Sequence, residues 1–424
     1  MDDEEAEPTM SLTEQNPTAQ AGAAPDEPTS EELIERARAL RPRLRELQAE
    51  HARLGSYSEE IHEYFTRNRL YDILRPRRYG GLELGLETFF KVVVEIARAD
   101  PGVAWSFELG ASHPFQFSSY FPERSQEEAY QAYPFVSASR AFPLASKIEK
   151  VEGGFRVSGR WDYCSGCTWS SHFMPVAPVT QEDGSQVMYM FILPRKDFTI
   201  LDDWGEGKTI GLHASSSNTI TIEDAFVPDY NAVVYDFKDH EWGEKGTPGY
   251  ELLGNPLYLG RTVTIFIAGL VSSQIGAAWA SLDEYERLLE RGSSFPPRIP
   301  RTESPEYQLW YGQIQSLTDA ADTLFHATIS KFVRMHEEWT RGGPPVGVKE
   351  DARLRGHIIQ AARLAGEAID LAFAHAGTSS AALAGTKLQK YYQDAAMFRT
   401  HIGAQWDVLL AAQARTQLGK PLTM

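Results

Sequence analysis

The apolar periodicity of this chain changes twice, and those two changes limit the architectures open to it. From Ser30 to about Phe121 apolar residues recur every three or four positions. In SEELIERARALRPRLRELQAEHARL, Ser30 reads as the N-cap of a long helix. LETFFKVVVEIARAD repeats the period, and Pro101 follows where a first helical turn tolerates proline. From about Pro134 to Phe237 the pattern turns strand-like. A Gly153-Gly154 turn separates two strands, EDGSQ reads as a hairpin turn before VMYMFILP, and NTITIEDAFVP alternates. From Pro256 onward the helical period returns, in long runs such as DARLRGHIIQAARLAGEAIDLAFAHA. Helices, an all-β middle and helices again, with no βαβ alternation and no internal repeat, predict an α+β fold. Its expected parts are an acidic disordered tail at 1–29, a helical domain at 30–132, a β domain at 133–238 and a helical domain at 239–424.

Charge and cysteine content narrow the setting. The 424 residues carry a net charge of -17. Eight acidic residues and no Lys or Arg fall within the first 30, which leaves about -9 for the rest, an ordinary value for a soluble enzyme. No basic cluster points to nucleic acid. No apolar run suggests a membrane span, and no signal peptide is visible, so the chain is expected in the cytoplasm. The two cysteines, Cys164 and Cys167, form a CxxC in a strand-ending segment, RWDYCSGCTWSS. A thioredoxin-type dithiol needs a helix there, and a structural zinc site needs a second ligand pair that the sequence lacks. They read as filler at a tight turn, and no metal is expected. GKT at 207–209 lacks the upstream Gly and the following helix of a phosphate-binding loop, and no GxGxxG follows a strand, so no nicotinamide site is expected.

Three stretches then carry a resemblance. GFRVSGRWDYCSG (154–166) resembles the flavin-side strand of the acyl-CoA dehydrogenase superfamily. GLHASSSNTITIEDAFVP (211–228) resembles its Ser-rich segment, and HAGTSSAALAGTKLQKYYQDAAMFRTH (375–401) its Gly-bearing turn and final catalytic helix. The similarity runs from about residue 33 to the end. It implies a helical N-terminal domain, a central β-barrel or sandwich, a C-terminal four-helix bundle and a homotetramer. It also implies Tyr163, Ser165 and Gly166 beside the flavin ring, Gly166 through close approach and Ser165 through hydrogen bonding. Arg261 and Arg291 would meet flavin phosphate, and Gly377 would lie in the Gly-bearing turn.

Two chemistries share that family. A dehydrogenase needs a carboxylate to remove a proton beside a thioester. The two positions where relatives carry it are Ile402 and Gly260 here. Instead, His401 follows Asp394 by seven residues on the expected final helix, and His113 lies in GVAWSFELGASHPF. Gln393 stands where many relatives have Arg. The histidines resemble those of two-component flavin monooxygenases. Such enzymes use reduced flavin (FMNH2 or FADH2) from a separate NAD(P)H:flavin reductase, with O2 as cosubstrate. A neutral donor protects the oxygenated flavin from decay to hydrogen peroxide, and a His takes a substrate proton near neutral pH. A satisfied core histidine is the plain alternative for His113. Ser139, with Ser137, is expected in the same pocket. Trp105, Phe107, Phe115 and Phe117 favour a flat aromatic substrate. N-oxygenation of an amine or amino sugar, and a dehydrogenase with a relocated base, are the competing readings.

Overall fold

The computed structural model describes residues 27–236, 240–294 and 298–420. The expected disordered tail lies, but for its last three residues, outside the described residues.

The described residues begin with six helices: α1 (Ser30–Leu54), α2 (Glu59–Arg67), α3 (Gly85–Ala97), α4 (Pro101–Ala111), α5 (His113–Tyr120) and α6 (Glu123–Ala129). The cap of α1 is Thr29, one residue before the expected Ser30. Its hydroxyl accepts from the Glu32 N–H while the Glu32 carboxylate takes the Thr29 N–H, so two orphan donors are satisfied at once. Ser30 is already helical and pairs with the Thr88 hydroxyl at 2.8 Å. Pro101 occupies the first turn of α4 as expected, behind Asp100, whose carboxylate accepts from the Gly102 and Val103 N–H groups.

Nine strands follow among the described residues: β1 (Ser137–Arg140), β2 (Ala145–Val151), β3 (Gly154–Trp161), β4 (His172–Thr180), β5 (Gln186–Phe191), β6 (Leu193–Pro194), β7 (Thr199–Ile200), β8 (Ile220–Pro228) and β9 (Ala232–Val234). One sheet runs β1-β4-β5-β9 with β6 against β4, and the other β2-β3-β8-β7. β1 is parallel to β4. Phe155, Val157, Trp161, Phe173 and Ile222 belong to the core that both sheets share. Trp161 is fully buried and its indole N–H reaches across to the Val176 carbonyl at 3.1 Å. Gly159 makes room for that ring, since a Cβ there would come within 2.5 Å of it.

The remaining helices are α7 (Pro248–Leu253), α8 (Thr262–Glu290), α9 (Pro305–Thr340), α10 (Val348–His375), α11 (Lys387–Thr400) and α12 (Trp406–Gln417). α10 packs against both α8 and α9, and α8 also meets α3, α4 and α11. First and last helices therefore share one continuous core, from Leu33 through Phe89 and Phe325 to Leu409. α8 is long and apolar enough to cross a membrane, contrary to the expectation that no such run exists. Its most apolar stretch is 83% buried against its neighbours, which marks it as a core helix.

Candidate functional site

Two adjoining hollows of about 410 and 450 Å3 share Arg140, Phe142, Tyr163, Ser165, His401 and Ile402, and so form one cleft. It lies where α4, the β layers, α8 and the corner after α11 converge. Its size suits a small-molecule ligand.

One half is lined with hydroxyls and indoles. The Ser165 hydroxyl lies 2.6 Å from that of Ser217, which lies 2.7 Å from that of Ser215, making a chain of three. Trp105 and Trp204 flank them. The turn carrying Ser165 is held by backbone bonds to the 215–218 segment, from Gly166 N–H to the Ser215 carbonyl and from Cys164 N–H to the Asn218 carbonyl. Tyr163, at φ +61 and largely exposed, lies on the rim. Gly166 does not face the cleft as expected. A Cβ on it would meet the Ser106 carbonyl at 2.7 Å and the Gly110 nitrogen at 2.9 Å, so its lack of a side chain lets the turn lie against α4. The two thiols are free and fully buried. Each faces a carbonyl, of Trp161 and Ser216 respectively, and burial pushes both above the ordinary thiol range, Cys167 to about 12. Among the described residues no cluster of ligating side chains could hold a metal.

The other half is more apolar, with Met190, Tyr235 and Phe266 around His113, Gln116 and Ser139. The His113 ring Nδ1 is 2.5 Å from the Ser137 carbonyl. A carbonyl only accepts, so Nδ1 carries the proton. Burial lowers the ring to about 4, so at neutral pH the other nitrogen, Nε2, is a bare acceptor. Ser139 donates its hydroxyl proton to the Met174 carbonyl at 2.8 Å. The Gln116 side-chain oxygen is buried without a hydrogen-bond partner.

His401 lines both halves, but it is not within the helix as expected. α11 ends at Thr400, and His401 turns the corner with extended backbone, φ -71 and ψ 140. Its Nδ1 accepts from the Gly403 N–H at 3.0 Å, so Nδ1 is unprotonated. Burial, with some help from the nearby Arg140 cation, lowers the ring to about 4. The neutral ring therefore carries its proton on Nε2. The two cleft histidines hold opposite tautomers, one a donor and one an acceptor.

The three remaining expected contacts lie outside the cleft. Arg261 is buried, bonding the Glu241 carboxylate at 2.6 Å and the Val346 carbonyl at 2.9 Å. Arg291 is an exposed cap of α8, and Gly377 sits in an exposed turn after α10 at φ +82. Sequence reasoning missed Arg140, Trp204 and the Ser215–Ser217 pair, although the Ser-rich 211–228 stretch was the signal for the last. It also missed the support beneath them. Lys390 Nζ bonds Asp100 at 2.9 Å and Asp394 at 2.6 Å, and Asp394 accepts the Leu212 N–H at 2.7 Å. That buried triad joins the start of α4, α11 and the Ser-rich loop.

Residues 268–406 match the family described as acyl-CoA dehydrogenase, C-terminal domain. The chain is 25% identical over 406 residues to a pigment production hydroxylase of a Rhodococcus species, covering 93% of this chain and 98% of that one. It is 25% identical over 394 residues to the oxygenase subunit of the flavin-dependent monooxygenase HsaA of Rhodococcus jostii, covering 92% and 99%. The solved structure of XiaF from a Streptomyces species, in complex with FADH2 and glycerol, superposes with a TM-score of 0.83 at 22% identity, covering 93% of this chain and 97% of that one. The C-terminal third of the chain thus matches the acyl-CoA dehydrogenase C-terminal domain, its whole length is similar to oxygenase components of flavin-dependent monooxygenases, and its fold is the one those structures share.

Proposed function

We propose that the cleft binds reduced flavin, FMNH2 or FADH2, beside a flat apolar substrate, and that the chain hydroxylates it as the oxygenase component of a two-component monooxygenase. The observation that carries this reading is the chemistry of the walls. Two neutral histidines line the cleft, and no Asp or Glu does among the described residues. A dehydrogenase with a relocated base would need a carboxylate there. An ammonium substrate would find no anion to meet it, so amine and amino-sugar oxygenation fit less well.

The residues present suit a flavin. The hydroxyl chain of Ser165, Ser217 and Ser215 offers hydrogen bonds to a polar ring edge, and Tyr163 with the flanking indoles offers flat apolar walls. Reduced flavin, when bound, supplies two electrons and, with O2, an oxygen atom for transfer. His401 Nε2–H would donate a hydrogen bond toward that oxygen, the ring staying neutral. His113 Nε2 accepts from a substrate hydroxyl, with Ser139 fixing the strand beside it. A ring near pKa 4 facing a phenol near 10 would take the proton at a cost of roughly 8 kcal/mol. His113 therefore aligns and polarises the O–H rather than holding its proton in the resting complex. The apolar walls keep water out, which limits wasteful release of hydrogen peroxide.

A separate NAD(P)H:flavin reductase supplies the electrons, in keeping with a relative named as an oxygenase subunit. Arg291 and Gly377, exposed and away from the cleft, would reach flavin only in an assembly of copies, a homotetramer in a cytoplasmic setting. The test is to load purified protein anaerobically with FMNH2 or FADH2, admit O2, and measure oxygen uptake, peroxide and hydroxylated product over a panel of phenols. Oxygen incorporation into product supports the reading. A protein that retains stoichiometric oxidised flavin through purification and reduces it with an acyl-CoA overturns it.

A further inference from the structure

Arg140 is the one charged side chain among the described residues lining the cleft, and it lines both halves. It ends β1, one residue after Ser139 and on the strand whose Ser137 carbonyl holds His113. No carboxylate lies within ion-pairing distance of it among the described residues, although acidic side chains outnumber basic ones in the chain by 58 to 41. Its Nε is buried with no hydrogen-bond partner. The Tyr163 ring lies 6.0 Å from its guanidinium carbon, at the edge of cation–π range. A guanidinium that is partly buried, uncompensated and aimed into a ligand cleft carries an unmet desolvation cost. An anion arriving with the ligand would meet it, through two parallel N–H donors that match a carboxylate.

The geometry points to Arg140 as the anchor for an anionic group on the substrate, which narrows the substrate class to flat aromatic acids carrying a carboxylate or a like anion. The inference rests on the monooxygenase reading. Two sources of negative charge could meet the guanidinium, the substrate and the anionic edge of reduced flavin. The substrate is favoured because Arg140 shares its strand with Ser139 and with the carbonyl that orients His113. The hydroxyl chain of Ser165, Ser217 and Ser215 already serves the opposite half. An anchored anion at one end would hold the ring between the acceptor His113 and the donor His401, and it would exclude ammonium-bearing molecules by repulsion.

The test compares ligand pairs that share a ring and differ in charge: 4-hydroxyphenylacetate with 4-hydroxyphenylacetamide, 4-hydroxybenzoate with 4-hydroxybenzamide, and indole-3-acetate with indole-3-acetamide. Binding is followed by fluorescence of the cleft tryptophans, Trp105 and Trp204, anaerobically, with and without reduced FMN. For at least one pair the wild type should prefer the carboxylate by about 10–100-fold, the range of a charge-assisted bidentate bond. Arg140→Met should erase that preference while leaving amide affinity and the reduced-FMN dissociation constant within about twofold of wild type, and Arg140→Lys should restore part of it. The proposal is overturned if no carboxylate outbinds its amide in the wild type, or if the preference survives in Arg140→Met. It is also overturned if Arg140→Met weakens reduced FMN at least tenfold, which would assign the charge to the flavin. Failure of the wild type to bind reduced FMN at all would sink the monooxygenase reading, while the flavin-free titrations would still report the anion preference.

Discussion

Substituting His401 by Asn and by Gln separates the duties of its two ring nitrogens. Nδ1 accepts the Gly403 N–H at 3.0 Å and so caps the short turn at Ile402–Ala404, whereas Nε2–H is the donor proposed to act in the cleft. An Asn side-chain oxygen can occupy the place of Nδ1 but does not reach that of Nε2. A Gln amide nitrogen reaches the place of Nε2 but leaves Gly403 N–H without its acceptor. Loss of one such partly buried bond costs about 1 kcal/mol. In a chain this size that lowers Tm by no more than about 2 °C. Loss of a positioned hydrogen-bond donor costs about 10²–10³-fold in product formation. His401→Asn should therefore melt like wild type, bind reduced flavin, consume O2 and release it almost wholly as hydrogen peroxide. His401→Gln should melt slightly lower yet keep a larger share of coupled product. Oxygen uptake, peroxide, product and Tm measured on the same samples decide the matter. A well-folded His401→Asn protein that stays coupled would remove Nε2 from the mechanism.

Three further outcomes follow from groups around the cleft. The double variant Cys164→Ser/Cys167→Ser should keep flavin binding and coupling, because each buried thiol meets a backbone carbonyl that a serine hydroxyl can also meet; a redox-dependent activity lost in the variant would show the pair is functional. Lys390→Met strands the Asp100 and Asp394 carboxylates in the core and should destabilise by about 3–5 kcal/mol in denaturant unfolding; a change below 1 kcal/mol would show that the triad does not hold α4, α11 and the Ser-rich loop together. Glu108, fully buried with both oxygens unpartnered, is raised by burial to about 8, so the folded state binds its proton more tightly than the unfolded state does. Its contribution is present below the ordinary carboxylate range and is lost as pH rises toward 8, so Glu108→Gln should raise Tm more at pH 8.5 than at pH 5, and a pH-independent difference would refute this. The buried His113 and His336, lowered to about 4, act in the opposite sense, with stability present above about 6.5 and lost as pH falls toward 4.

The order of helices, strands and helices was legible because each element carries its own period, 3.6 for one and 2 for the other, and burial of one face enforces it. The Gly153-Gly154 turn, the EDGSQ hairpin and Pro101 could be read for the same local reason. Missing carboxylates at 260 and 402 could be read too, since an absence at a fixed spacing requires no coordinates. Local reading erred where a single residue's geometry mattered. Thr29 rather than Ser30 caps the first helix, and His401 leaves the helix because its ring bonds the Gly403 N–H just beyond it. Cleft membership was decided by tertiary structure. Ser165 meets Ser217 across 52 positions, His113 meets the Ser137 carbonyl across 24, and Lys390 reaches Asp100 across 290. Within one chain, packing also turns Gly166 toward α4, pairs Arg261 with Glu241 and leaves Arg291 and Gly377 at the surface, none of which a local reading shows. Which nitrogen of each histidine carries the proton, and that Arg140 has no counter-ion among the described residues, depend on which carbonyls, N–H groups and carboxylates lie within about 3 Å. Chain folding alone brings those groups that close.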